Sequence, residues 1–412
     1  MMTLTLRHGL KFRALENDNK VRAEIIAEYT EAPTHVTIRN WALKIGYYEL
    51  TRPKEKANDW IILLDHSIQF GQDKIFVVLG IREKDFIKLQ RPLKYSDMKT
   101  LHIEAMKKSN GYLIHKILIK LETELGGFKY AVGDYGGDLK KGLGFAEITH
   151  VHDLSHSISN EIQKIYKSDL RYDTLKKELS IMRTKLSQTD IAAISPPKRR
   201  KKSEYQSFDT IVKWTEKCLR LLNILSFPGN SKQKDDLRKS IEGEVGDDFF
   251  DKIKANLEWI KDYRELITEL SEINNAIKSI EKDMKHNGLS LMTVKKAKVF
   301  LAELTTEKGI ELKDNLVVKL QSQLDLFSTE EIILCSSDIL ESTFGKYKNR
   351  VSENLMASVT VLILMIAAYS SSLEIKDIKE SMENVKINGI KKWANDKVGI
   401  STHKMRTILL AV

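Results

Sequence analysis

The stretch Trp60-Ile61-Ile62-Leu63-Leu64-Asp65 limits the fold of this chain more than any other. Side chains alternate faces along a strand, so a run apolar at every position has no face it can show to water. It is predicted to be a strand inside a sheet covered on both sides, with an acid at its exit. Lys74 to Ile81 follows as a second apolar run and reads as its antiparallel neighbour, joined through a turn at Gly71. A weaker third strand is read near Gln90 to Tyr95. Ser109 to Leu125 is an amphipathic helix stopped by Gly126-Gly127. Phe128 to Val132 is the next strand and runs into Asp134; Glu147 to His152 is a fifth, with a helix starting near Leu154.

On either side of this mixed region the pattern is helical. Lys20 to Tyr29 and about Thr34 to Ile45 read as two helices separated by Thr30-Glu31-Ala32-Pro33, with Val36, Ile38, Trp41, Ala42 and Ile45 on the inner face of the second. Two short helices, the second carrying Thr, Asn, Lys and Arg39, suit a helix-turn-helix that reads a DNA groove, or an ordinary helical hairpin. From about Ser157 to Leu326 the chain is almost all helical in pattern; Leu266, Leu270, Ile273, Ile277 and Ile280 recur at three- and four-residue steps. Leu355 to Tyr369 reads as a buried helix, because it falls short of the ~18 residues that a membrane span requires. The expected organisation is an N-terminal helix-turn-helix region (1–55), the first part of a mixed-sheet core (56–160), a helical insertion (161–328), the last core helix (329–370) and a helical tail (371–412).

Charge points to the class of partner. Lys plus Arg number 67 against 57 Asp plus Glu, a net charge of +10, which favours a polyanion because each neutralised phosphate releases condensed counterions. Lys198-Arg199-Arg200-Lys201-Lys202 follows Pro196-Pro197 as a run of five cations, read as a loop gripping a phosphate backbone. The two cysteines, Cys218 and Cys335, have no CxxC spacing and exclude a disulfide framework and a cysteine zinc finger. The charged N-terminus lacks an apolar signal core, so a cytoplasmic protein is expected.

The acids at the strand ends carry the candidate chemistry. Asp65 and Asp134 would lie side by side if their strands are neighbours, where carboxylate oxygens can hold two Mg²⁺ about 4 Å apart for phosphodiester chemistry. A third carboxylate must come from a helix packed beside them. Ser336-Ser337-Asp338-Ile339-Leu340-Glu341 supplies it, with Ser336 or Ser337 as cap. Lys348 lies two turns after Glu341 on one face, placed to meet a phosphate, and Lys346 and Arg350 add positive charge.

The blocks Asp65-His66-Ser67-Ile68-Gln69-Phe70-Gly71, Val132-Gly133-Asp134-Tyr135-Gly136-Gly137-Asp138-Leu139, Asp153-Leu154-Ser155-His156 and Ser336 through Lys348 resemble the DDE transposases of bacterial insertion sequences. The resemblance spans roughly Thr34 to Ala368. It implies an α/β fold: an RNase H-like mixed sheet flanked by helices, interrupted by a large all-helical insertion. It also implies Asp65, Asp134 and Glu341 as a catalytic, metal-binding triad using Mg²⁺, with Mn²⁺ as a substitute. Asp153 and His156 resemble the Asp/Cys-x-x-His element after the fifth strand, and with His66 they are expected to shape the site from behind. Glu341 and Lys348 match part of a Tyr-Arg-Glu-Lys pattern, but Ser337 stands where its arginine would be. The implied activity is cutting element ends in double-stranded DNA and joining the 3′-hydroxyl to target DNA, by a homo-oligomer at a prokaryotic nucleoid, away from membranes. The alternatives are an RNase H-like nuclease without strand transfer and a domesticated DNA-binding protein without catalysis.

His150-Val151-His152-Asp153 offers a rival reading as a zinc hydrolase. The next histidine, His156, falls three residues after the aspartate, and only His286 and His403 lie downstream. Trp214 and Trp259 could stack on an unpaired base, although core packing is their ordinary use. No phosphate-loop glycine pattern is present.

Overall fold

The structure, a computed structural model, describes residues 2–25, 32–66, 73–198, 208–227, 231–241, 246, 248–351 and 358–411. The chain forms two compact units: one comprises Met1–Asp153, Lys285–Asn287 and Ile332–Val412, the other Leu154–Met284 and Gly288–Glu331.

The first unit is built on five strands, β1 (Ala57–His66), β2 (Lys74–Arg82), β3 (Lys99–Met106), β4 (Gly126–Gly133) and β5 (His150–His152), in the order β3-β2-β1-β4-β5. β1, β2 and β3 pair antiparallel, whereas β4 and β5 add in parallel. This is the RNase H-like arrangement, with helices flanking the sheet and an all-helical insertion after β5. From Trp60 to Leu64 β1 is apolar at every position because both of its faces are covered there. Trp60, Ile62 and Leu64 share a core with Ile114, Leu118 and Leu121 of the helix Gly111–Leu125. Ile61 and Leu63, of opposite parity, are also fully buried. The helices His35–Thr51 and Leu364–Tyr369 pack on β3, and the helix Asp338–Arg350 lies beside β1. Each such Ile or Leu contributes roughly 1.5–3 kcal/mol relative to exposure.

Several local readings differ from the structure, among them the helix read from Lys20, which begins at Phe12. Residues 90–95 are not the third strand; they form an irregular segment with Pro92, which has no N–H to give a ladder. The strand is Lys99–Met106, where Leu101, Ile103 and Met106 are buried among polar Lys99, His102 and Glu104. β5 is confined to His150–His152, because Glu147 adopts φ 54° in the turn before it. The apolar run near the end of the core gives one 3₁₀ turn, Val361–Ile363, and a short helix, Leu364–Tyr369; residues 352–357 lie outside the described residues.

The N-terminal residues belong to the same unit as the sheet. The helices Phe12–Ile25 and His35–Thr51 touch, and residues 26–31 between them lie outside the described residues. Thr34 caps the second, its Oγ1 accepting from the Thr37 amide at 3.2 Å. Ile38, Ala42 and Ile45 are buried against Met365, Ala368 and Tyr369, while Val36 is exposed. Gly46 permits this packing: a Cβ there would stand 2.1 Å from the Leu364 carbonyl oxygen.

The second unit is helical throughout its regular structure. The helix Arg264–Asn287, which lies in this unit up to Met284, buries Leu266, Leu270, Ile273, Ile277 and Ile280, as their spacing requires, and stops at Gly288 with φ 73°. Leu222, Phe249, Phe250, Leu257 and Ile260 form a core against which Trp214 and Trp259 pack. Among the described residues, no helix is long and apolar enough to cross a membrane.

Candidate active site

β1 and β4 deliver Asp65 and Asp134 to one edge of the sheet. Leu63 is in register with Val132 on the parallel partner, so two residues further along, Asp65 stands level with Asp134. Adjacent strands are about 4.8 Å apart, so the two residues are neighbours at that edge. Asp65 is half-buried, and its Oδ1 accepts from the His66 amide at 2.6 Å. Asp134 is also half-buried, its Oδ1 accepting from the Gly136 amide at 2.8 Å. That bond folds the chain at once into the helix Gly137–Phe145.

A third acid joins them that the sequence reading left without a role. Asp138, in the first turn of that helix, faces Asp134 across Gly136: a Cβ on Gly136 would lie 2.9 Å from Asp134 Oδ1 and 3.1 Å from Asp138 Oδ1. His66 completes this group, with Nε2 3.8 Å from Asp138 Oδ2 and its ring 4.9 Å from that of Phe76. Burial holds the His66 imidazole below the usual histidine range, with Asp138 partly offsetting it. The four-residue step from Asp134 to Asp138 across a Gly-Gly turn was the available signal.

Glu341 sits on the helix Asp338–Arg350, exposed to solvent. The start of this helix is fastened to the sheet. Asp153, just past β5, is buried, and its Oδ2 accepts from both the amide (2.7 Å) and the Oγ (2.9 Å) of Ser337. One turn earlier, the Tyr130 hydroxyl on β4 accepts from the Leu334 amide at 2.7 Å. Ser337 holds the N-cap position without a side-chain cap bond, its hydroxyl being spent on Asp153, while Ser336 Oγ receives the Asp338 amide at 3.3 Å. The helix lies beside β1, the strand that carries Asp65. Among the described residues, however, no group of three or more His, Cys, Asp or Glu is placed to hold a metal ion, so Glu341 is not gathered with Asp65 and Asp134 into such a group. Carboxylate oxygens are the donors that Mg²⁺ prefers.

The remaining candidates divide. Lys348 is half-buried on the last turn of its helix. Lys346 and Arg350, expected to meet DNA, are packed inward instead. The Lys346 ammonium lies 3.7 Å from the ring centre of Tyr95, and burial lowers its pKa. Arg350 donates to the Thr5 carbonyl at 2.8 Å and lies over Phe12. Arg39 and Lys198 are exposed, while Arg199, Arg200, Lys201 and Lys202 lie outside the described residues, as do Ser67–Gly71. His156 is on the first helix of the second unit, Leu154–Tyr166. The His-x-His pair packs together: the His150 and His152 ring centres are 4.4 Å apart, and Tyr135 stacks on His152 at 4.0 Å and 9°. That is the use the structure gives the residues of the zinc-hydrolase reading.

No protein-family model and no curated protein matches this chain. Among solved structures it is similar to one described as the Drosophila P element transposase strand transfer complex, with 12% identity, a TM-score of 0.39, and coverage of 89% of this chain and 91% of that one.

Proposed function

We propose that the chain is a DNA transposase of the insertion-sequence kind, hydrolysing phosphodiester bonds at element ends and joining the freed 3′-hydroxyl to target DNA. The observation that carries this reading is the register that sets Asp65 level with Asp134 at the edge of an RNase H-like sheet. In this reading Asp65 and Asp134 hold Mg²⁺, or Mn²⁺ in its place, and Glu341 supplies the third carboxylate. The bound metal would supply a lowered water pKa and stabilisation of the leaving oxygen. Around it the chain's own groups orient the site. Asp138 holds His66 beside the Asp65 strand end, and Asp153 fixes the start of the helix that bears Glu341. Lys348, Arg39 and the 198–202 cations engage the DNA backbone, and the working form is a homo-oligomer on DNA at a prokaryotic nucleoid.

The test is a nicking and joining assay with the full chain, labelled element-end DNA and Mg²⁺. Nicked ends and joined product are expected from the wild type, with losses of at least a hundredfold in Asp65→Asn, Asp134→Asn and Glu341→Gln. Nicking without joining would make the protein a nuclease. DNA binding with neither activity would make it a non-catalytic DNA-binding protein.

A further inference from the structure

We propose that Lys74, Lys107, Lys108, Lys140 and Lys141 form the surface along which a DNA backbone crosses the candidate active site. The inference rests on the DNA reading above and says where on this unit the strand lies.

The sheet register brings these five together. His66, at the end of β1, is opposite Phe76 on β2, and Lys74 on β2 is opposite Met106, the last residue of β3. The start of β2 and the end of β3 therefore lie at the same edge as Asp65 and Asp134, and Lys107-Lys108 leave β3 there. Lys140 and Lys141 are the fourth and fifth residues of the helix Gly137–Phe145, which leaves the same edge after Asp134. The start of the helix Gly111–Leu125 crosses the middle of that helix closely: a Cβ on Gly111 would meet Lys141 Cβ at 2.6 Å, and one on Gly142 would meet Ile114 Cγ2 at 2.5 Å. That contact sets the Lys107-Lys108 loop, three residues before Gly111, beside Lys141.

All five are exposed, and among the described residues none is in an ion pair. Elsewhere on this unit, Arg82 at the end of β2 binds Asp59 and Glu55, and Lys129 within β4 binds Glu83. A phosphodiester approaching Asp65, Asp134 and Asp138 meets like charge, and cations within a Debye length of about 8 Å offset that repulsion. Partnerless lysines bordering a row of carboxylates suit a polyanion that must lie against acids, and each phosphate they neutralise releases counterions.

The test measures binding of a short fluorescein-labelled DNA duplex by anisotropy, in EDTA and over a salt series, in an Asp65→Asn background so that no cleavage intervenes. The variants are Lys107→Glu with Lys108→Glu, and Lys140→Glu with Lys141→Glu. The control, Lys177→Glu with Lys185→Glu, makes the same charge change at exposed positions of the second unit. Each edge variant is expected to weaken binding at least tenfold, with the salt slope shallower by about 0.9 for every phosphate that is no longer neutralised. Circular dichroism checks that each variant remains folded. Unchanged affinity and slope in both edge variants, or an equal loss in the control, would overturn the inference. Neither outcome touches the assignment of Asp65, Asp134 and Glu341, which stands or falls on nicking by the otherwise wild-type chain.

Discussion

Asp153 and Ser337 are joined by two hydrogen bonds to one carboxylate oxygen, across 184 residues of sequence. The bond pair ties the end of β5 to the first turn of the helix that carries Glu341, and places a negative charge at that helix's positive end. Asp153→Ala would leave the Ser337 amide and hydroxyl without this acceptor in a buried position, a loss of about 1–3 kcal/mol. Ser337→Ala removes only one of the two bonds and is expected to cost less. Urea unfolding of both variants and the double mutant measures the coupling. Equal losses for the two single variants would show that the amide bond contributes nothing.

Gly46 is fixed by space. Its Cβ would strike the Leu364 carbonyl, which is backbone and cannot rotate away, so Gly46→Ala is expected to destabilise by about 1–3 kcal/mol or more. Gly137 is a suitable comparison, because nothing lies within 4 Å of its Cβ position. Gly137→Ala should leave the melting temperature nearly unchanged. A Gly46→Ala protein that melts with the wild type would mean that the two helices separate more easily than their contact implies.

Lys54 gives a pH-dependent signature. Its ammonium donates to the Glu49 and Leu50 carbonyls at 2.8 and 2.7 Å, and burial lowers its pKa to about 8. An unfolded lysine titrates near 10.4, so between about pH 8 and 10.4 the unfolded chain holds more protons than the folded one. Stability from this group therefore rises as pH increases through that window; below it the charged, buried lysine carries its full penalty. Urea midpoints of wild type and Lys54→Met, compared across the window, should converge or cross in the wild type's favour. A difference that stays constant with pH would remove Lys54 as the source.

The cysteines report on folding. Cys218 is buried, and burial pushes its thiol up to about 12; Cys335 is buried at 3% exposure. The thiolate is the reactive form, so the native protein should react slowly with a thiol reagent near neutral pH, and both thiols should react promptly in denaturant. Fast labelling of Cys218 in the native state would show that the helical core around it opens readily.

The fold was legible where side-chain pattern alone decides burial. β1 was visible because its centre, Trp60 to Leu64, is covered on both faces and has no polar position to obscure it, and the long helix Arg264–Asn287 because its apolar face repeats without interruption. β3 was missed for the opposite reason: Lys99, His102 and Glu104 break its apolar run. That error also hid the Lys107-Lys108 loop, since a strand put at 90–95 leaves those lysines far from the sheet edge. At the site, Asp65 and Asp134 could be read from their places at strand ends. The inward turn of Lys346 and Arg350 could not, because it depends on Tyr95 and Phe12, which are distant in sequence.

The division of the first unit around a long insertion affects how the molecule is made. A ribosome that has delivered β5 has produced every strand of the sheet, but neither the helix destined for the flank of β1 nor the hydroxyl that Asp153 awaits. The whole helical segment must emerge before that flank can be closed, so synthesis leaves an interval in which an oily strand lacks part of its cover. Chains stalled within that interval should be the ones that chaperones hold and proteases find.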